Sequence, residues 1–131
     1  MTRYALLCGS APEDFRQKKL ADMHDFLVTE AGGTLPESNI VVFPNGVPEL
    51  MLESVLNNTL HDECDSLLLY FCTETPFSDD EASIWLCGNE IRKSVVNYYV
   101  SLAKDFETDF QVMYDWDKEL VSESELGYEA V

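Results

Sequence analysis

Four short, nearly unbroken apolar runs, at residues 4–8, 40–43, 67–71 and 110–114, constrain this chain more than any other feature. None of them alternates apolar with polar residues, and a continuous run of this length is what a strand buried on both faces looks like. The segments between them carry helical spacing instead. Leu20, Met23, Leu27 and Ala31 recur at steps of three and four in the first connection, and Leu52, Val55, Leu56 and Leu60 do so in the second. The third places Ile91, Val95, Tyr98, Tyr99, Leu102 and Phe106 on one helical face, so that this aromatic face is expected in the core.

Strands alternating with helices predict an α/β fold, a parallel sheet with right-handed crossovers. The punctuation agrees. Ser10-Ala-Pro-Glu13 reads as a capping box with proline in the first turn, Gly32-Gly33 is expected to close that helix, and Pro44-Asn-Gly46 is a turn after the second strand. With a reversal after the second strand, the four main strands are expected in the order 2-1-3-4 with helices on both faces, a three-layer sandwich. Residues 75–88 are too many for a simple connection and include the apolar run Ile84-Trp-Leu-Cys87. A small hairpin or minor strand is expected there, followed by a helix from Asn89, with Trp85 packing the hairpin against the main sheet. It leaves the carboxyl end of the third strand, where open α/β sheets place their sites.

With 131 residues and no internal repeat, low-complexity tract or linker, residues 1–131 are expected to form one domain. The apolar fraction of 46% supports a packed core even at a formal charge of −17. That charge makes nucleic acid and anionic membranes poor partners. No apolar run approaches the roughly 20 residues of a membrane span, and Met1 does not open a basic-then-apolar leader. Cys8, Cys64, Cys72 and Cys87 form no CxxC pair, so a reduced, cytoplasmic domain is expected.

In its order of motifs the chain resembles the large-subunit half of the caspase-like cysteine peptidases. Tyr4-Ala-Leu-Leu-Cys-Gly9 matches the family's opening strand and glycine turn, and Ile40-Val-Val-Phe-Pro-Asn45 its second strand. Leu67-Leu-Leu-Tyr-Phe-Cys-Thr-Glu-Thr75 stands where the family reads apolar residues followed by Tyr-Phe-Ser-Gly-His-Gly. Ile84-Trp-Leu-Cys-Gly88 matches its minor-strand excursion, and Phe110-Gln-Val-Met-Tyr-Asp-Trp-Asp117 its fourth strand, which ends Asp-Ala-Cys. The resemblance implies a caspase-like fold without its chemistry. Glu74 occupies the position of the general-base histidine, Asp117 that of the nucleophilic cysteine, and Asp115 alone fits the motif.

The chemistry can be judged apart from the family, because a cysteine peptidase needs a thiolate and an imidazole within hydrogen-bond reach. The chain has two histidines. His61 precedes the third strand, which puts it more than ~20 Å from Cys72 and Glu74 at ~3.3 Å per strand residue. His24 lies about 15 Å down the first helix from the site edge at ~1.5 Å per residue. Neither is expected to serve Cys72 or Cys87 as a base.

The acidic residues Glu74, Asp79, Asp80, Asp115 and Asp117 should gather at the carboxyl edge of the third and fourth strands, where Ca²⁺ or Mg²⁺ would find oxygen ligands. A chain with 25 acidic residues places some in every loop, so no metal and no cofactor is assigned. Asp115-Trp-Asp117 also looks like the DxD nucleophile of haloacid dehalogenase-like phosphatases, but it follows the last strand with too little chain for the other motifs. A phosphoacceptor receiver would need an aspartate after the third strand, where Cys72-Thr-Glu stands, and Gly9-Ser10 is no phosphate-cradling loop. Cys8 and Cys72 are expected near one sheet edge as small core residues, and Trp85 and Trp116 flank the cleft, where exposed anchors for a partner are the alternative to packing for Trp85 and the expectation for Trp116. Three functions follow as expectations: a catalytically inactive domain acting through a protein partner or homodimer, a divalent-cation-dependent hydrolase using Glu74, Asp115 and Asp117, or one half of a two-chain peptidase.

Overall fold

The computed structural model describes residues 2–9, 14–73 and 83–116. In chain order its elements are β1 (Arg3–Gly9), α1 (Asp14–Leu27), a 3₁₀ turn (Glu37–Asn39), β2 (Ile40–Phe43), α2 (Glu49–Leu60), β3 (Ser66–Thr73), β4 (Ser83–Leu86), β5 (Asn89–Arg92), α3 (Lys93–Asp105) and β6 (Asp109–Trp116). The main sheet is wholly parallel, in the order β2-β1-β3-β6, and β4 and β5 form a separate antiparallel hairpin. The order expected from crossover handedness is the order observed. The capping box at residues 10–13 lies outside the described residues.

Strand periodicity sorts the core into two layers. Leu6 and Cys8 of β1 and Leu67, Leu69 and Phe71 of β3 face one side, where they meet α2, α3 and the hairpin. Ala5 and Leu7 of β1 and Tyr70 and Cys72 of β3 face the other, where α1 supplies Leu20 and Leu27. The sheet therefore has helices on both faces, but unequally: two helices and a hairpin against one.

That inequality corrects the reading of the apolar runs. β1 and β3 are buried on both faces, whereas β2 and β6 are edge strands: β2 is partly exposed on both faces, through the adjacent Val41 and Val42, and β6 on one. Val41 and Val42 are exposed on β2, and Met113 on β6, while Phe110, Val112 and Tyr114 pack inward. Apolar continuity alone does not separate a central strand from an edge strand whose outer face lacks a covering helix.

Three further corrections concern the segments around the helices. α1 ends at Leu27, short of Gly32-Gly33; Gly33, at φ +106, instead closes the following turn, with its N–H on the Glu30 carbonyl and the Thr34 N–H on that of Thr29. Asn89 begins β5, not a helix, because Cys87 and Gly88 (φ 50 and 83) make a two-residue type I′ turn that returns the chain as a hairpin. In α3 the buried stripe is Val95, Val96, Tyr99 and Ala103; Tyr98 is 54% exposed and Phe106 is exposed too. Moving the helix start from Asn89 to Lys93 leaves the core stripe to smaller side chains, with Tyr98 stacked outside on Tyr99 at 5.0 Å.

The hairpin turns Ile84, Leu86 and Ile91 into the core and Trp85 outward, at 54% exposure. Trp85 therefore does not pack it on the sheet. Two other contacts hold it. Arg92 makes a two-pronged ion pair with Glu49 at the first turn of α2, its Nη2 2.7 Å from Oε1, and its backbone N–H donates to Oε2 at 2.8 Å. Hydrogen bonds from Arg92 hold the Glu49 carboxyl below its ordinary value. Gly46, at φ +83, comes so close to the hairpin turn that a Cβ would lie 2.5 Å from the Leu86 carbonyl oxygen. Gly46→Ala is expected to cost about 2–4 kcal/mol, from left-handed backbone plus overpacking against main chain. Urea titration should show a lower midpoint with an unchanged slope; an unchanged midpoint would mean that the hairpin yields freely.

Candidate functional site

The parallel register builds the carboxyl edge of the sheet from Gly9 beside Cys72 and Cys72 beside Asp115, with Thr73 opposite Trp116. The structure thus brings the backbone of Asp115, the residue matching the family motif, next to Cys72. Glu74, Asp79, Asp80 and Asp117, and the side chains of Asp115 and Trp116, lie outside the described residues.

Both thiols expected at this edge are there, on opposite faces. Cys8 points toward α2 and α3, Cys72 toward α1, and both are fully buried. Desolvation pushes the Cys8 thiol up to about 12 from an ordinary 9.0, so at neutral pH it is a small apolar core group. All four cysteines are thiols. Cys87 is exposed at the hairpin turn, and burial raises Cys64 at the opposite end of the sheet.

The histidines stand at that opposite, amino-terminal end. His61 caps the carboxyl terminus of α2, with Nδ1 2.8 Å from the Asn57 carbonyl oxygen and its ring edge-on to Phe106 at 4.7 Å. Ser66, where β3 begins, follows it by five residues, and six strand residues of ~3.3 Å then separate Ser66 from Cys72, roughly 20 Å. His24 lies in the last turn of α1, its Nε2 3.7 Å from Glu37, just before β2. No imidazole of the chain can reach a thiol at the carboxyl edge.

The amino-terminal end holds a cavity of about 350 Å³ that sequence reasoning missed, lined by His61, Glu63, Cys64, Asp65, Phe106 and Glu107 among others. The contacts around it are structural ties between loops. Thr108, the one buried polar side chain among the described residues, donates to the Cys64 carbonyl at 2.7 Å, and the Asp109 N–H donates to the Asp65 carbonyl at 2.9 Å. The Thr2 N–H reaches the Asp65 carboxylate at 2.6 Å, and the Tyr4 hydroxyl reaches Asp62 at 3.0 Å. Glu63 and Glu107 adopt φ of 50 and 57, left-handed turns that carry α2 and α3 into the next strands. The only sequence signal for this cavity is the acidic residues that follow the two helices, Asp62, Glu63 and Asp65 after α2 and Glu107 after α3, which read as loop.

Among the described residues, no group of three or more His, Cys, Asp or Glu side chains is arranged to hold a metal ion. No helix of the described residues is long and apolar enough to cross a membrane. No family model matches the chain, and neither the curated proteins nor the solved structures yield a match. The fold and the edge together define an α/β domain with a four-stranded parallel sheet and an accessory hairpin at its carboxyl end.

Proposed function

We propose that the chain is a catalytically inactive caspase-like domain that works through protein contacts, as a scaffold, regulator or decoy, and not an enzyme. The observation that carries this reading is the separation of both imidazoles from the thiols of the carboxyl edge: the histidines stand at the amino-terminal end of a parallel sheet whose carboxyl edge holds Cys8 and Cys72. Cys64, the thiol that shares the amino-terminal cavity with His61, donates to the Ser66 carbonyl at 3.1 Å and is raised by burial. The replacement of the family's histidine and cysteine by Glu74 and Asp117 supports it from the sequence side. So does the exposure of large apolar groups, Trp85 and Leu50 among them, on a strongly charged chain.

No peptide in a library with acidic or basic residues before the cut should be turned over. Turnover abolished by Cys72→Ala or Cys87→Ala would overturn the reading.

A further inference from the structure

Backbone hydrogen bonds sort the described strands into two sheets that share none. β1, β2, β3 and β6 are laced into one, while β4 and β5 pair with each other, from Ser83 with Arg92 to Leu86 with Asn89. A two-stranded hairpin by itself is marginal in water, so this one owes its order to what it leans on. One of its faces supplies that support. Ile84, Leu86 and Ile91, none more than 5% exposed, join the larger core layer, where β5 rests on α2 and α3 and β4 on β3. The other face, with Trp85 and Glu90, is exposed. Swinging the hairpin away therefore breaks apolar contacts but no rung of either sheet.

The chain fixes the hinge for such a swing. β5 runs into α3 with no residue between them, so that Arg92 both ends the strand and is the N-cap of the helix. Its own side chain does not cap α3. Glu49, in the first turn of α2, does so from outside. It accepts the Arg92 backbone N–H at 2.8 Å, the bond that a capping box draws from the helix's own third residue. The Arg92 guanidinium holds the same carboxylate, with Nε at 3.0 Å and Nη2 at 2.7 Å from Oε1. One side chain, 43 residues away in sequence, thus grips the hinge by backbone and side chain alike. The Glu49 side chain is shielded, at 16% exposure, and the charges of Glu53 on α2 and Glu90 on β5 add to the attraction on Arg92.

We propose that β4 and β5 form a latched flap. It opens as one unit about Arg92, Glu49 is the latch, and opening uncovers an apolar surface made of Ile84, Leu86, Ile91 and the core they cover. Units that open short of global unfolding commonly coincide with a supersecondary motif of this kind. The proposal goes beyond the contact-domain reading: it concerns which surface the chain presents and what holds that surface closed, whether or not a partner uses it.

Hydrogen exchange of the full chain under native conditions tests it. The register and the two-residue turn make Leu86 with Asn89 and Ile84 with Ile91 the hydrogen-bonded pairs, so their amides report the hairpin, while Leu69 and Phe71 of β3 report global unfolding. The hairpin amides should be ~10-fold or more less protected than those of β3, and should lose protection less steeply with urea, because opening exposes less surface than unfolding. Glu49→Gln should lower hairpin protection about fivefold or more. Leu27→Ala, in the other core layer, should lower β3 protection and leave the hairpin amides unchanged, since the closed and opened forms lose the same contact. Equal protection and equal urea dependence in hairpin and β3 would overturn the flap, as would a loss shared equally by both in Leu27→Ala. Hairpin amides untouched by Glu49→Gln would overturn the latch. The urea series uses the unaltered chain, so it decides whether or not Leu27→Ala folds.

Discussion

Phe71→Ala is expected to remove about 3–5 kcal/mol of folding stability, a large fraction of the roughly 5–15 kcal/mol that a domain holds in reserve. Phe71 has no exposed surface, and it sits on β3 between Cys8 of β1 and Tyr114 of β6. Its ring stacks on that of Tyr114 with centroids 5.5 Å apart and planes 13° from parallel. Truncation therefore loses the transfer energy of the ring, leaves a cavity in the larger core layer and strips the edge strand of its aromatic contact. The melting temperature should fall by roughly 10–20 °C. Leu50→Ala is the matched control: Leu50 is 80% exposed on α2, and its removal should stay within about 0.5 kcal/mol. A loss below about 1 kcal/mol for Phe71→Ala would mean that β3 is not the strand binding the two core layers together.

The centrality of β3 could be read from the chain because the cues there reinforce one another. A run of five apolar residues flanked by helical spacing, together with the handedness of crossovers, leaves few strand orders, and the observed order is the one expected. The hairpin was legible for a similar reason: Ile84-Trp-Leu-Cys87 is too short for a helix and ends at a glycine. Which of its residues faces inward was not. Ile84, Trp85 and Leu86 are all apolar, and inward facing is set by the type I′ turn, which pairs Leu86 with Asn89 and Ile84 with Ile91. The largest side chain was thereby sent to solvent. The helix after it begins four residues later than the spacing predicts for the same reason, since a non-glycine at positive φ, Cys87, gives no sequence signal of a turn.

Edge exposure escaped sequence reasoning because it depends on how many helices reach each face, a property of the assembled fold. Phe110-Gln-Val-Met-Tyr114 is as apolar as a central strand, yet Met113 faces outward because α1 lies over β1 and β3 and stops short of β6. The placement of the two histidines, by contrast, followed from counting residues along known elements, and the structure puts both at the expected end. Five acidic candidates, Glu74, Asp79, Asp80, Asp115 and Asp117, rest on sequence alone, with Asp115 additionally fixed in register beside Cys72.

Stability should fall steeply on the alkaline side, and Cys8 should account for the largest single share. Its thiol is held at about 12 in the folded protein against an ordinary 9.0, because the thiolate would have to sit in the apolar layer with Leu6, Leu69 and Phe71. Between those values the folded chain keeps the proton and the unfolded chain has lost it. The raised group therefore leaves stability whole below pH 9 and withdraws it as pH climbs toward 12, at about 1.4 kcal/mol per pH unit and roughly 4 kcal/mol in all. Cys64 and Tyr114, also raised by burial, act in the same direction. Cys8→Ala isolates the first contribution. At neutral pH it should cost about 1 kcal/mol for the vacated sulfur volume, and by pH 10.5 it should be the more stable of the two proteins, so that the curves cross. Urea midpoints at pH 7, 9 and 10.5 decide this, and parallel curves for the two proteins would show that water reaches the thiol. The same ~4 kcal/mol is what a nucleophile at this position would have to overcome before it could attack anything. That places Cys8 with the packing of the sheet, as a small apolar core group.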